Sequence, residues 1–173
     1  MTEFIYNDGG RSLAGYKGTA GDCVVRAISI ASGLSYQKVY DDLKSLNKEH
    51  ALKRRSRVAK KLRAEGSSPR NGNYKEVYHN YILSLGFEWV STMGIGTGVT
   101  VHVHPHELPN GTLILRLSNH LSAFIDGVIH DTYNSSRGGT RAVYGFYHRE
   151  KKLTYGLNEL LNRDYESFIE GAA

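Results

Sequence analysis

The sequence predicts a single α+β domain in which helices come first and a mainly antiparallel sheet follows. Up to Gly86, apolar residues recur at intervals of three and four, which is the spacing of helices that bury one face. After Gly86 they form short runs or alternate with polar residues, as strands do. A length of 173 residues, with no internal repeat and no linker, favours one domain spanning residues 1–173.

The helical half is predicted to follow a glycine-rich, irregular segment over residues 1–21. Asp22 is expected to cap the first helix, with its carboxylate accepting a hydrogen bond from a free backbone N–H of the first turn. Gly33 is expected to end that helix. The other predicted segments are a helix from Ser35, a helical stretch over about 48–64, a loop over 66–73 and a helix over Tyr74–Leu85.

The second half is predicted to be a sheet with a peripheral C-terminal tail. The predicted strands are Phe87–Val90, Val99–Val103, Thr112–Leu117, His120–Ile125, Gly127–Thr132 and Ala142–His148. Asp126-Gly127 is a strong hairpin signal between two of them. Residues 153–171 are polar, with a short closing helix expected near 157–161.

Composition indicates an intracellular protein. There is one cysteine, Cys23, so no intramolecular disulfide can form and a reduced, cytoplasmic environment is expected. No apolar run approaches the ~18 residues that span a bilayer, and the first ten residues do not resemble a secretory signal. The net charge is +5, and seven of the eleven residues from Lys53 to Arg63 are Lys or Arg. This basic segment could contact nucleic acid or an acidic partner, although such a segment is more often a solvated helix face.

Cys23 is the first candidate for chemistry, because it follows a glycine-rich loop and lies in the first turn of a buried helix. A helix N-terminus lowers the pKa of a thiol, and the backbone N–H there can stabilise a developing oxyanion. The alternative is that Cys23 is a small apolar filler of the core, which is the commoner role of a free cysteine.

A reactive cysteine needs a histidine base and a third group that orients the imidazole. Among eight histidines, His120 lies at the start of an apolar strand, where it would be held rigidly. The predicted hairpin places Asp131 roughly opposite Leu121 or Ser122 and therefore within reach of His120, with Asn134 just beyond. Without such partners, His120 would be a satisfied sheet histidine and Asp131 a turn former.

The order of Cys, His and then Asp or Asn is that of papain-like cysteine peptidases. Asp22-Cys23 at a helix start, His120-Leu121-Ser122-Ala123 at the head of a strand, and Asp131 one strand later resemble the double-glycine leader peptidase domains of bacteriocin exporters. Residues 21–28 and 120–133 also resemble uncharacterised bacteriophage and prophage proteins, for which no activity is established. The resemblance implies a papain-like fold with N-terminal helices packed on a mainly antiparallel sheet.

The resemblance also implies a reaction: hydrolysis of a peptide or isopeptide bond by a Cys23–His120–Asp131 triad, with Asn134 as the alternative orienting group. No metal or organic cofactor is expected. Papain-like enzymes carry a glutamine six residues before the nucleophile as an oxyanion donor. Here that position is Lys17, which could donate to the oxyanion together with the Cys23 backbone N–H, but as a flexible point charge and not as a fixed amide. The alternative implied by this departure is a phage-encoded, non-catalytic binding protein that modulates a host factor.

One further group of residues could serve a ligand. His102, His104 and His106 alternate, so two of them could share a metal, but no third ligand is apparent and a solvated strand face is favoured. The expected partners are therefore a protein or peptide substrate and a host protein, with nucleic acid a minor alternative and no membrane.

Overall fold

The computed structural model describes residues 2–149 and has an α+β architecture. Its helices are α1 (Cys23–Ser32), α2 (Tyr36–Lys53), α3 (Arg57–Glu65) and α4 (Lys75–Ser84), with a short 3-10 helix at Pro69–Asn71. Its strands are β1 (Glu3–Tyr6), β2 (Glu88–Ser91), β3 (Thr112–Leu117), β4 (His120–Ile125), β5 (Val128–Asp131) and β6 (Gly145–Arg149). The predicted closing helix near 157–161 lies outside the described residues.

The six strands form one sheet in the order β1-β5-β4-β3-β6-β2. Only β1 runs parallel to its neighbour, β5; the other four strand pairs are antiparallel. Helix α1 packs mainly on β4, and α2 packs on α1, α3 and α4. The sheet is therefore mainly antiparallel and the helices pack on one side of it, as the order of the periodicities predicts.

Side chains alternate between the two faces along each strand, and both faces of the central strands are buried. Ile114 and Leu121 join the cores of α1, α2 and α4. Leu115 and Phe124 point to a second cluster with Val103, which lies in the segment between β2 and β3. Within residues 2–149, no helix combines the length and the apolar character needed to cross a bilayer.

The helix ends follow local sequence signals in most places. Gly33 ends α1 in a left-handed conformation, with φ 77°, as predicted. The side chain of Ser35 accepts a hydrogen bond from the Lys38 amide and caps α2. The predicted helical stretch over 48–64 is wrong as a single element: its first residues extend α2 to Lys53, and α3 begins only after Ser56 caps the Ala59 amide. A serine in the basic segment thus supplies a start signal for a new helix.

Two predictions for the sheet are wrong. Residues 1–21 are not irregular throughout, because Glu3–Tyr6 form an exposed edge strand whose pairing partner, β5, lies far along the chain. The alternating segment Val99–Val103 is not a strand; it makes one isolated bridge, between His102 and Ala142. Val103 is buried there because the segment covers the second face of the sheet, so burial and not strand pairing explains part of the alternation.

The β4–β5 hairpin confirms the signal at Asp126-Gly127. Asp126 has φ 47° and Gly127 has φ 89°, the left-handed conformations that a tight hairpin turn requires. The register pairs Ala123 with His130. Asp131 is the next residue of β5, so this turn brings it towards the start of β4.

Candidate active site

Cys23 is the first residue of α1 and is partly buried. The chain enters the helix tightly: the Gly21 amide donates to the Arg70 carbonyl at 2.9 Å, and a side chain at Gly21 would crowd that carbonyl at 3.3 Å. The next six residues, Val24–Ser29, are all buried. The apolar members of this run anchor α1 against the sheet and fix the thiol at the helix N-terminus.

His120 is the first residue of β4, directly after a two-residue turn. Asn119 in that turn has φ 52°, a left-handed conformation that asparagine tolerates better than most residues. The buried Arg141 donates to the carbonyl of Ser118, at 3.0 Å, and to that of Ser135, at 3.4 Å. This arginine ties the turn before His120 to the loop after β5 and so holds the imidazole in place.

His120 and Asp131 form a buried pair. The Nε2 atom of His120 lies 2.6 Å from Oδ2 of Asp131, and the two side chains are only 7% and 4% exposed. Because Nε2 is engaged by the carboxylate, Nδ1 is the ring nitrogen left for another partner. The ring of Tyr133 lies 5.2 Å from the imidazole and covers it.

The Cys23 thiol also interacts with His120. Burial raises the pKa of its thiol, but hydrogen bonding to His120, the charge of His120, the Leu121 amide and the charge of Arg26 together lower it below its ordinary value. The structure thus places a thiol, an imidazole and a backbone donor at one point, although they come from α1 and β4.

The pKa of the His120 imidazole shifts in the opposite direction to that of the thiol. Burial lowers the pKa of His120, but hydrogen bonds to Asp131 and Cys23, with their charges, raise it to about 9. Burial raises the pKa of Asp131, and the hydrogen bond and charge of His120, the Thr132 amide and Arg26 lower it on balance. All three shifts favour the charged forms of the groups: a thiolate, an imidazolium and a carboxylate.

Arg26 is a site residue that the sequence analysis missed. Its guanidinium lies 3.4 Å from Oδ1 of Asp22 and 3.6 Å from Oδ1 of Asp131, and it donates to Thr132 Oγ1 at 2.9 Å. It is buried inside an otherwise apolar helix face, with 6% exposure. A charged residue within an apolar run, four residues after an aspartate, was the signal that could have identified it.

The prediction that the Asp22 carboxylate caps α1 is wrong. Asp22 occupies the N-cap position, but its side chain makes no capping hydrogen bond. Its carboxylate is fully buried; it accepts from the Tyr36 hydroxyl at 2.7 Å and lies 3.7 Å from Nη1 of Arg11. The side chain turns inward towards the Tyr36 hydroxyl and the guanidinium groups of Arg11 and Arg26. Asp22 therefore supports Arg26 and, through it, Asp131.

The contacts found for Asn134 and Lys17 are with residues other than Cys23, His120 and Asp131. Asn134 is exposed, and its Oδ1 accepts from the amide and the hydroxyl of Ser136, at 3.0 and 2.7 Å, in a turn of its own loop. Lys17 is exposed, and its carbonyl accepts from Arg70 Nη2 at 2.7 Å. Asp131, and not Asn134, is the partner of His120, and no contact found among residues 2–149 joins Lys17 to Cys23.

The remaining histidines and the basic segment are separate from Cys23. His102 pairs with Glu107, and the rings of His104 and His106 lie 5.3 Å apart. Within residues 2–149, no group of three or more His, Cys, Asp or Glu residues could hold a metal ion. Lys53, Arg54 and other residues line a cavity of about 1230 Å³ beside α2 and α4, and Cys23 is not among its lining residues.

Comparison with known proteins adds no further information to this geometry. No family model, curated protein or solved structure matches the chain. The chemistry of the site is therefore inferred from its own residues.

Proposed function

We propose that this chain is a cysteine hydrolase of the papain-like type, which cleaves a peptide or isopeptide bond by acyl transfer to water. One observation carries the proposal: the buried, hydrogen-bonded pair of His120 and Asp131 lies close enough to Cys23 for His120 to lower the pKa of the thiol, although the three residues come from three separate elements. The opposite pKa directions of Cys23 and His120 support an ion pair ready for attack.

In the acylation step, the Cys23 thiolate adds to the substrate carbonyl carbon and forms a C–S bond, while the carbonyl π electrons move onto oxygen. The backbone N–H of Cys23 has no partner within its own helix and is free to stabilise that oxyanion. The His120 imidazolium gives its proton to the leaving amine as the C–N bond breaks. Asp131 keeps the ring oriented and stabilises its charged form.

In the deacylation step, the neutral His120 removes a proton from a water molecule, which attacks the thioester. Collapse of the second tetrahedral intermediate releases the acid and returns the thiolate–imidazolium pair. The step needs no cofactor. The proposed substrate is a protein or peptide in the cytoplasm, which is the host cytoplasm if the chain is phage-encoded.

The experiment is a peptide-library digest analysed by mass spectrometry. Wild-type protein is expected to produce new peptide termini that each add the mass of one water, and Cys23→Ala is expected to produce none. His102→Ala is the matched control, because it removes a histidine paired with a carboxylate outside the site. Termini that persist in Cys23→Ala, or a wild-type protein that produces none, would reject the hydrolase.

A second candidate function is a non-catalytic, phage-encoded binding protein on the same scaffold. The observation that favours it is the exposed Lys17 at the position where papain-like enzymes hold an amide donor. A binding protein should retain capture of its host protein in Cys23→Ala and should show no acyl-enzyme, whereas the hydrolase should form one on Cys23. Intact-mass measurement with an activated ester separates the two.

A further inference from the structure

The cavity of about 1230 Å³ beside α2 and α4 is the largest feature of the molecule that the hydrolase does not use. One wall consists of residues of the stretch 46–56, which includes the first part of the basic segment, and the other of residues of the stretch 75–84. The Nε2 atom of His50 lies 3.1 Å from Oγ of Ser56 and 3.3 Å from Oε2 of Glu76. The contact between His50 and Glu76 joins the two walls.

The positive charge of this cavity is only partly compensated. Its lining cations are Lys53, Arg54, Arg55 and Lys75. Lys53 pairs with Glu49 at 2.8 Å. Among residues 2–149, no carboxylate lies within 4.0 Å of the other three cations. Both walls therefore present free positive charge to the same space, which attracts an anionic ligand.

The rest of the lining fits a polypeptide better than a chain of phosphates. Two carboxylates, Glu49 and Glu76, lie among the cations, and Leu46 and Val77 add apolar surface. A nucleic acid carries a negative charge on every unit, so its phosphates would also meet the carboxylates. An acidic polypeptide can place carboxylates against the free cations and apolar side chains against Leu46 and Val77.

The aromatic rings near the cavity offer no open face to a nucleic acid base. Single-stranded nucleic acid is bound by stacking of bases on exposed rings as well as by phosphate contacts. Tyr81, which lines the cavity, is 9% exposed, and its hydroxyl donates to Asp42 at 2.7 Å. The ring of Trp89 is covered by Lys75, whose Nζ lies 4.8 Å from the ring centre. An acidic protein segment is therefore the better fit.

We propose that this cavity binds an acidic segment of a partner protein. The carboxylates of the segment lie against Arg54, Arg55 and Lys75, and its apolar side chains lie against Leu46 and Val77. Cys23 does not line the cavity, so this binding site stands whether or not the chain is a hydrolase.

The test is fluorescence anisotropy with a fluorescein-labelled peptide in which glutamates alternate with leucines. Wild type and Cys23→Ala should bind this peptide equally, and neither should bind the same peptide with glutamines in place of glutamates. The double variant Arg54→Glu with Arg55→Glu should weaken binding about tenfold or more, because it places like charges against the probe. Lys75→Gln should also weaken binding, because it removes a free cation from the opposite wall.

Arg57→Glu with Lys60→Glu is the matched control. These two residues belong to the same basic segment and are exposed, but they do not line the cavity. The change in net charge is the same as in the cavity variant. At physiological salt, charges outside the cavity are largely screened from the probe, so the affinity should stay close to that of wild type.

Four outcomes would overturn the proposal, and none of them bears on the hydrolase. Equal weakening in the two double variants would mean general charge attraction and not a site. Unchanged binding in Lys75→Gln would show that the second wall takes no part. Absence of binding to the acidic peptide would reject the site outright, and tighter binding of a labelled oligothymidylate would assign the cavity to nucleic acid.

Discussion

Two of the four histidine–carboxylate pairs found among residues 2–149 are alike in chemistry and unlike in setting. His120 and Asp131 are 2.6 Å apart with side chains 7% and 4% exposed, whereas His102 and Glu107 are 3.1 Å apart with side chains 36% and 39% exposed. Water and salt screen the exposed pair, so its interaction is weak. The buried pair is shielded from solvent, and Cys23 adds a third charge to it.

The two pairs also differ in how the chain builds them. His102 and Glu107 belong to one short loop, in which the His102 amide donates to the Glu107 carboxylate at 2.7 Å. His120 and Asp131 lie on two strands of a hairpin, and α1 brings Cys23 to them. A histidine beside a carboxylate is therefore common, and it becomes a candidate site only where the fold buries it and supplies a nucleophile.

The largest expected difference between the two pairs is in what each contributes to the stability of the fold, and a substitution of Arg26 tests it. Arg26→Met removes the cation that lies between two buried carboxylates, Asp22 and Asp131, and so breaks a buried charge network. We expect the free energy of unfolding to fall by about 3–5 kcal/mol, as for other broken buried pairs. Urea denaturation measures the change, and the control Glu107→Gln should leave the free energy of unfolding almost unchanged, because solvent screens the exposed pair. Equal losses in the two variants would mean that the buried network contributes no special stability.

The pH dependence of stability is the next largest effect. Between about pH 6.5 and 8.5, the unfolded chain holds one proton on the thiol and none on the imidazole. In the folded chain, the lowered pKa of Cys23 makes stability rise with pH and the raised pKa of His120 makes it fall, so the two groups oppose each other and flatten the pH dependence.

Cys23→Ser removes the contribution of the thiol to the pH dependence of stability and leaves that of His120. The folded His120, whose pKa Asp131 still raises, then holds a proton that the unfolded chain has lost, so stability falls as the pH rises towards the folded-state pKa. The slope should approach about 1.4 kcal/mol per pH unit. Denaturation of wild type, Cys23→Ser and Cys23→Ser with His102→Ala at several pH values measures it. A flat profile in Cys23→Ser, or a slope that His102→Ala abolishes, would contradict the assignment.

A smaller effect is expected from the charge of Asp131. Asp131→Asn keeps a hydrogen-bond acceptor for His120 but removes the carboxylate that stabilises imidazolium. Alkylation of Cys23 below neutral pH should slow by about tenfold, which corresponds to one pKa unit. Glu107→Gln should leave the rate unchanged, and stopped-flow alkylation of both variants makes the comparison. A wild-type rate in Asp131→Asn would show that the carboxylate charge is not needed.

The sequence predicted those parts of the site that depend on local signals. The Asp126-Gly127 turn set the hairpin that brings Asp131 to His120, and the apolar spacing after Cys23 indicated the helix that carries it. The parts that were missed depend on contacts between distant segments. Asp22 was expected to cap its own helix, but Tyr36 draws its carboxylate inward.

The same limit explains the missed elements of the fold and site. Strand β1 exists because β5 offers it a parallel partner, and nothing in its short, exposed sequence identifies that partner. Arg26 lies beside Asp131, although α1 and β5 are far apart in sequence. Such pairs become visible only when the helices are packed on the sheet.

The most direct measurement is the pH dependence of Cys23 alkylation by iodoacetamide in wild type, His120→Ala and His102→Ala. The thiolate–imidazolium pair predicts that wild type and His102→Ala react fast below neutral pH, and that His120→Ala reacts only as the pH approaches the ordinary thiol value of about 8.5. Ordinary thiol profiles in all three proteins, or an inert Cys23, would contradict the pair and leave the binding-protein function.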